Sequence, residues 1–458
     1  MPGMPQLNRR GLLASFAAAT LARSAPQKKG TASTPGTSLK FSVRDFGAKG
    51  DGTTKDTAAL QQALDRCSAL GGGEVLVPAG NYLTGAIALR SNTLLRLEKD
   101  AILTGTGDFG DYPVTQVRWE GKWIQGHTGL LYAIGASHIG IAGPGRIVGS
   151  PALGGRPSAE NPLRHPALIE PIDCRDVRLE GFSTDYGVMW SIHPTDCEDV
   201  VIQGLKIRST GRNADGIDID SCRRVRIEGC DIATGDDCIS IKSGRGSEGY
   251  SLRRTSEDIV IANCTMFDSI YACIGIGSET SGGIRNVRIE HCKFTGAKTF
   301  AIYIKTRVGR GAFIDGVVAD DLDVSGTAGG FLSLNLLSSG LQDQDPVPGE
   351  EGIPTVRNLR FSNVRVTDCP QLVDALRIHP DRPVEGLSLT NVTGTANKGI
   401  TLANIKNAEI HNVKVTGLTG PLLAIHNVTG KGLEGAAMID GPKLPEPVVA
   451  AGEPYRLH

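Results

Sequence analysis

Residues 213–243 read NADGIDIDSCRRVRIEGCDIATGDDCISIKS, and this stretch decides the fold. Two acidic loops, Asn213-Ala214-Asp215 and Gly235-Asp236-Asp237, each run straight into a short strand of alternating character, 216–220 and 238–242. Asp215 stands two residues before Ile217, and Asp237 stands two before Ile239. If the two strands are neighbours in a stack, about 4.8 Å apart, Asp215 and Asp237 occupy the same place on adjacent rungs. Asp236 then completes a group of three carboxylates on one face of a rod.

Working outward, the unit around these strands repeats. With Val177, Val200, Val225, Ile259, Val287, Val317, Leu359 and Leu387 as position zero, the residues two and five further on are apolar in all eight units. Position four is Gly181, Gly204, Gly229, Asn263, His291, Asp321, Asn363 and Asn391, mostly turn formers. Each unit is a strand, a sharp bend and a second strand. A third strand follows in several units, where Ile217, Ile239, Ile274 and Ile302 form an inward column. Such a unit cannot bury its apolar face alone and must stack on its neighbours. The expected fold is all-β, a right-handed parallel β-helix over 40–440. A β-sandwich needs hairpins with two-residue turns, which these fixed columns do not favour.

The flanks carry other signals. Apolar residues at helical spacing in 56–70 predict an amphipathic helix over the end of the solenoid, capped by Asp56 or Thr57 and ended by Gly71-Gly72-Gly73. Residues 334–355 read as a long surface loop and 441–458 as a C-terminal tail. At the N-terminus, Arg9-Arg10 precede a small apolar run, 14–22, too short to span a bilayer. This predicts a twin-arginine-type export signal over 1–24, with a linker over 25–39 and a periplasmic or extracellular location. A disordered basic tail is the alternative.

Composition excludes some partners. The chain of 458 residues has a formal net charge of −1, so nothing points to nucleic acid, and no later segment is apolar enough for a membrane span. The ten cysteines fall mostly in columns, Cys174, Cys197 and Cys222 in one and Cys230, Cys264 and Cys292 in another. They are expected to be reduced, stacked thiols, with a bridge between rungs as the alternative. No zinc-ligand spacing is present.

Three crowded carboxylates repel one another, so at least one must hold its proton. That suits hydrolysis of a glycosidic bond, with one carboxyl as acid and its neighbours acting on water. The alternatives are ordinary turn chemistry and a calcium site.

The motifs named so far resemble glycoside hydrolase family 28, the polygalacturonase family. The likeness runs from Val43-Arg-Asp-Phe-Gly-Ala-Lys-Gly-Asp-Gly through Gly71-Gly-Gly-Glu-Val-Leu-Val-Pro-Ala-Gly-Asn-Tyr, Arg118-Trp-Glu-Gly and Trp190-Ser-Ile-His-Pro. Asn213-Ala-Asp-Gly-Ile-Asp-Ile-Asp-Ser-Cys and Gly235-Asp-Asp-Cys-Ile-Ser-Ile-Lys-Ser-Gly are its most specific parts. The resemblance implies a pectin-degrading glycosidase that cleaves α-linked galacturonan with inversion and without a metal; no cofactor and a monomeric state are expected. Asp236 is then the general acid, while Asp215 and Asp237 hold the water, with Asp236 standing across from them at the roughly 6.5–9.5 Å that inversion uses. Lys305, Tyr303, Tyr271, Lys242 and His193 become the candidate substrate contacts. Lys242 is equally well a counter-charge, and His193 a structural hydrogen-bonding residue. Trp119 and Trp123 are further candidates for the cleft wall.

Two positions depart from the family pattern. Ala272 stands where the family has a histidine supporting the acid, and Tyr303 stands where it has an arginine beside Lys305. Arginine is the better partner for a carboxylate, so these changes point to an altered substrate. Rhamnogalacturonan or another pectic linkage is the second hydrolase reading. A calcium-dependent polysaccharide lyase and a non-catalytic glycan-binding β-helix are the readings outside hydrolysis.

Overall fold

The left-handed backbone conformation punctuates the chain at a fixed interval. All eight position-four residues have φ between 54° and 79°, and all eight residues just before position zero are also left-handed, Asp176 and Arg224 at 54°, Gly386 at 80°. A Cβ disfavours this conformation, and glycine, asparagine and aspartate tolerate it best. The repeat in composition therefore becomes a repeat in bends.

Between the bends the strands pair in parallel and in register. Val177, Val200, Val225, Ile259, Val287, Val317, Leu359 and Leu387 are successive partners. The third face gives the column Ile217, Ile239, Ile274, Ile302 and Leu332. The result is a mostly-β parallel coil with one large sheet system and few helices. Its apolar columns are essentially sealed from solvent. Earlier coils continue the stack upstream, Leu39 with Gly73, Gly73 with Thr93, and Ile139 with Val177. Gly143, at 106°, keeps the position-four bend in the Ile139 coil, whereas Val43, Val77 and Leu97 stand at that position in the three coils before it.

The computed structural model describes residues 39–154, 162–187, 189–211 and 213–444, all in one compact unit. The expected export signal, the linker up to residue 38 and the last part of the tail lie outside the described residues. No helix among them is long and apolar enough to cross a membrane.

The predicted upstream helix forms as α1, Thr57–Ala69, with Leu60, Ala63, Leu64 and Cys67 buried against the first coils. Its start differs from expectation. The Asp56 carboxylate does not cap the helix. It accepts hydrogen bonds from the Lys49 and Gly50 amides at 2.7 and 2.9 Å instead, tying helix to loop. All ten cysteines are buried and unbridged. In the first column the Cys174 amide donates to Cys197 Sγ, and the Cys197 amide to Cys222 Sγ, at 3.4 and 3.3 Å. The thiols thus serve as small core groups.

Strand alternation directs the residues between the isoleucines of the third face out of the coil, where solvent is expected. On the third face the residues alternating with the isoleucines, Asp218, Asp220, Ser240 and Lys242, are as buried as the isoleucines. Loops cover this side of the coil, and a polar layer lies beneath them.

Candidate active site

The cluster forms where the two acidic loops enter their strands. The Gly216 amide donates to Asp237 O at 3.0 Å, and Ile217 pairs with Ile239, so Asp215 and Asp237 are rung neighbours as their spacing predicts. One carboxylate oxygen from each of Asp215, Asp236 and Asp237 lies within 4.8 Å of the other two. The wider gap expected between Asp236 and the other pair is absent at these closest oxygens. All three side chains leave adjacent coils at the same strand end, which crowds them.

Each carboxyl has its own surroundings. Asp237 Oδ1 accepts from the Ala272 amide at 3.0 Å, and Oδ2 accepts from Lys305 Nζ at 2.6 Å. Position 272, where the family histidine is missing, thus holds the site through its backbone. Ser240 Oγ lies 3.0 Å from both Asp215 Oδ2 and Asp237 Oδ2. One hydroxyl carries one proton, so one of these contacts needs a protonated carboxyl. Burial and then the Asp218 charge push Asp215 well above the usual carboxylate range, which assigns that proton to Asp215. Burial, followed by the neighbouring carboxyls Asp215 and Asp237, raises the pKa of Asp236 to about 8.

Beneath the cluster, Lys242 balances charge. Its ammonium sits 2.5 Å from Asp218, 3.6 Å from Asp215 and 3.9 Å from Glu279, and 3.7 Å over the Trp190 ring. Of its two readings, counter-charge is the one its partners support. Removing one partner from such a buried set leaves uncompensated charge, a loss of about 3–5 kcal/mol. The lysines also supply the positive charge that the carboxylate trio would otherwise draw from a hard cation.

A cavity of about 200 Å³ opens over the trio, and Trp190, Tyr271, Lys242 and Lys305 line it. Four residues predicted to contact substrate or line the cleft are absent from its lining. His193 is fully buried, with Nε2 at 3.2 Å from Thr195 Oγ1 and Nδ1 at 3.6 Å from Glu170. Burial lowers its pKa, so it is a neutral structural residue. Tyr303 is buried with its ring stacked on Tyr271 at 5.9 Å, so it backs the wall and presents no face to a sugar. Trp119 is buried against Trp190 at 5.1 Å. Trp123 lies under the Arg118 guanidinium, 5.2 Å away, and is outside the lining as well.

Sequence reasoning missed the rest of the wall, which includes Glu120, Arg245, Glu279, Ser339, Gly340 and Leu341. Glu279 stands just past the strand Ile274–Ile276, and the others come from three distant segments: the antiparallel hairpin Val114–Trp119 with Lys122–His127, the start of the short helix α2, Gly246–Leu252, and the loop 336–348. The Arg245 amide donates to Gly121 O at 3.1 Å and the Ser247 amide to Asp345 O at 2.9 Å, while Lys122 Nζ meets Asp345 at 2.8 Å. Asp343 is gripped by Arg245 at 2.9 Å and by Arg310. Arg310 also donates to Leu341 O at 2.8 Å, and Arg307 to Gly340 O at 2.6 Å. The loop expected on the surface is therefore a fixed wall of the site. Arg245 follows the quoted GDDCISIKSG motif directly, and Glu120 lies inside Arg118-Trp-Glu-Gly, so only their roles were hidden.

The comparisons with known proteins bear on this geometry. The profile of "Glycosyl hydrolases family 28" matches residues 67–335. The chain belongs to glycosyl hydrolase family 28. A probable polygalacturonase of Vitis vinifera is 30% identical over 366 residues, covering 77% of this chain and 73% of the relative. An exo-poly-alpha-D-galacturonosidase of Dickeya chrysanthemi is 24% identical over 306 residues, 55% of this chain and 49% of that protein. The chain thus spans about half of that second relative. Among solved structures, an exopolygalacturonase of Thermotoga maritima is 25% identical with a TM-score of 0.66, covering 81% of this chain and 92% of that one. This family 28 protein is a polygalacturonase-like glycosidase, and hydrolysis is supported over lyase chemistry or glycan binding alone.

Proposed function

We propose that this family 28 protein hydrolyses an α-linked galacturonan-type pectic chain or a fragment of one, with inversion. The observation that carries this reading is the carboxylate trio at the cavity, with its three members in unequal surroundings. Asp236, holding its proton near neutrality, donates to the glycosidic oxygen as the bond to the anomeric carbon breaks. Water held between Asp215 and Asp237 attacks that carbon from the opposite face. Its proton passes to Asp237, the member paired with Lys305. Tyr271 and Lys305 meet the substrate in the cavity.

The reading is tested by reducing-sugar release from homogalacturonan, rhamnogalacturonan and xylogalacturonan, with and without chelator, by the wild type and Asp236→Asn. Release that survives chelator and disappears in Asp236→Asn is expected. Full activity of the variant would remove Asp236 from the mechanism. Proton NMR of the first product tests the stereochemistry, because the oxygens lie closer than in most inverting sites. A β-configured new end supports inversion, and an α-configured one makes a carboxylate the nucleophile. We also propose that α1 closes the end of the right-handed β-helix, which an uncapped solenoid would expose, and that the Arg9-Arg10 segment directs export of a monomeric enzyme.

A further inference from the structure

A hydroxyl carries one proton and two lone pairs, so the groups it touches decide which neighbour must hold a proton. Ser240 lies on the third-face strand Ile239–Lys242, in register with Asp218 on one rung and Gly275 on the other. It is fully buried. Its Oγ stands 3.0 Å from Asp215 Oδ2 and 3.0 Å from Asp237 Oδ2, and it has no other hydrogen-bond partner among the described residues. Two ionised carboxylates would share one donor, and the second contact would set lone pair against lone pair. The arrangement that satisfies both contacts is a chain. One carboxyl donates to Oγ, and Oγ donates to the other, ionised carboxylate.

The surroundings set the direction of the chain. Asp237 Oδ2 also accepts from Lys305 Nζ at 2.6 Å, and Oδ1 accepts from the Ala272 amide at 3.0 Å, so Asp237 has the donors an anion needs. Asp215 faces Asp218 and has only Lys242, at 3.6 Å, as a close cation. Asp236 and Tyr271 complete the titratable groups around the pair. The chain therefore runs from Asp215 through Ser240 to Asp237. With Lys305 and Ser240 both on Oδ2, Oδ1 is the Asp237 oxygen left to take a proton from water.

We propose that Ser240 is a positioning residue that ties Asp215 and Asp237 into a single base holding one proton and one charge. The proposal rests on the hydrolytic reading of the trio and adds how its base is kept in one protonation state. The hydrogen-bond chain favours the singly charged pair over both the neutral and the doubly charged pair, so its loss narrows the pH range of that state from both ends. The test is Ser240→Ala. Carbon-13 NMR of the aspartate carboxyls, which needs no turnover, should show Asp215 protonated and Asp237 ionised at neutral pH in the wild type, with Asp215 losing its proton at lower pH in the variant. On oligogalacturonides kcat should fall roughly tenfold with KM within about twofold, and the acid limb of kcat/KM should move up by roughly one pH unit, the size of one charge-assisted hydrogen bond. A fall in kcat with the acid limb unmoved would make Ser240 a packing residue and overturn the proposal. So would a wild-type protein with both carboxyls ionised at neutral pH, a reading that does not depend on the variant folding. Ser240→Cys, which keeps a weaker donor, should place the acid limb between the other two; a limb at the alanine position would overturn the role of the donated proton. A shifted Asp215 titration in a protein that releases no reducing sugar would uphold the coupling and count against the hydrolytic reading instead.

Discussion

At the scale of single residues, the site depends on how one proton is held and how little space surrounds it. Asp236 must be protonated to act, and its pKa is raised to about 8, first by burial and then by Asp215 and Asp237. The log of kcat/KM should therefore fall with rising pH through about 8; a profile that stays flat to pH 10 would separate Asp236 from the acid role. The sign for stability follows from the same shift. Between roughly pH 4 and 8 the folded state holds a proton that the unfolded chain has lost. Wild-type stability relative to Asp236→Asn should thus decline across that window, as thermal melts at several pH values would record. Gly275 sets the space. A Cβ there would lie 2.3 Å from Asp237 Oδ2 and 3.2 Å from Lys305 Cε, so Gly275→Ala must displace the ion pair. We expect at least a hundredfold loss of kcat with a native circular dichroism spectrum; near-normal turnover would mean that the pair is not positioned for catalysis.

At the scale of the coil, the same bend recurs whatever residue occupies it. Glycine at 181, 204 and 229 gives way to Asn263, His291, Asp321, Asn363 and Asn391, all left-handed. This explains why the columns were legible in the sequence, since the turn formers and apolar positions are local requirements repeated eight times. Gly204 isolates the backbone contribution, because a Cβ at this position meets nothing within 4 Å. Gly204→Ala should destabilise by about 1–2 kcal/mol through the left-handed conformation alone, seen as a lower melting temperature with activity per folded molecule unchanged. An unaltered melting temperature would show that the coil relaxes the bend. The upstream coils starting at Leu39, Gly73 and Thr93 were not legible, because their strands enter the register without the shared bend residue. The helix α1 was legible from its apolar spacing, but the diversion of Asp56 to the Lys49 and Gly50 amides was not, because it depends on where a loop returns in space.

At the scale of the whole molecule, the carboxylate trio was legible because its members sit on neighbouring rungs, whereas the wall above it was not. Glu120, Arg245 and residues 339–341 meet at the cavity only after three segments, far apart in the chain, cross-link to one another. No local spacing encodes the contact of Lys122 with Asp345, 223 positions away. That wall has a consequence for how a polymer is cut. A groove open at both ends lets a chain pass through and be cleaved internally, whereas a fixed wall that closes one end would stop the chain at the cavity. Hydrolysis should therefore proceed from a chain end and release one short product of constant length from the first minutes of reaction. Reducing ends should rise while the viscosity of the polymeric substrate stays nearly constant, and substrates with both ends blocked should resist. An early collapse of viscosity with a ladder of products would mean that the wall opens in solution. Lys122→Ala, which cuts the tie between the hairpin and Asp345 without touching the carboxylate trio, should move the product pattern in that direction if the tie holds the wall closed.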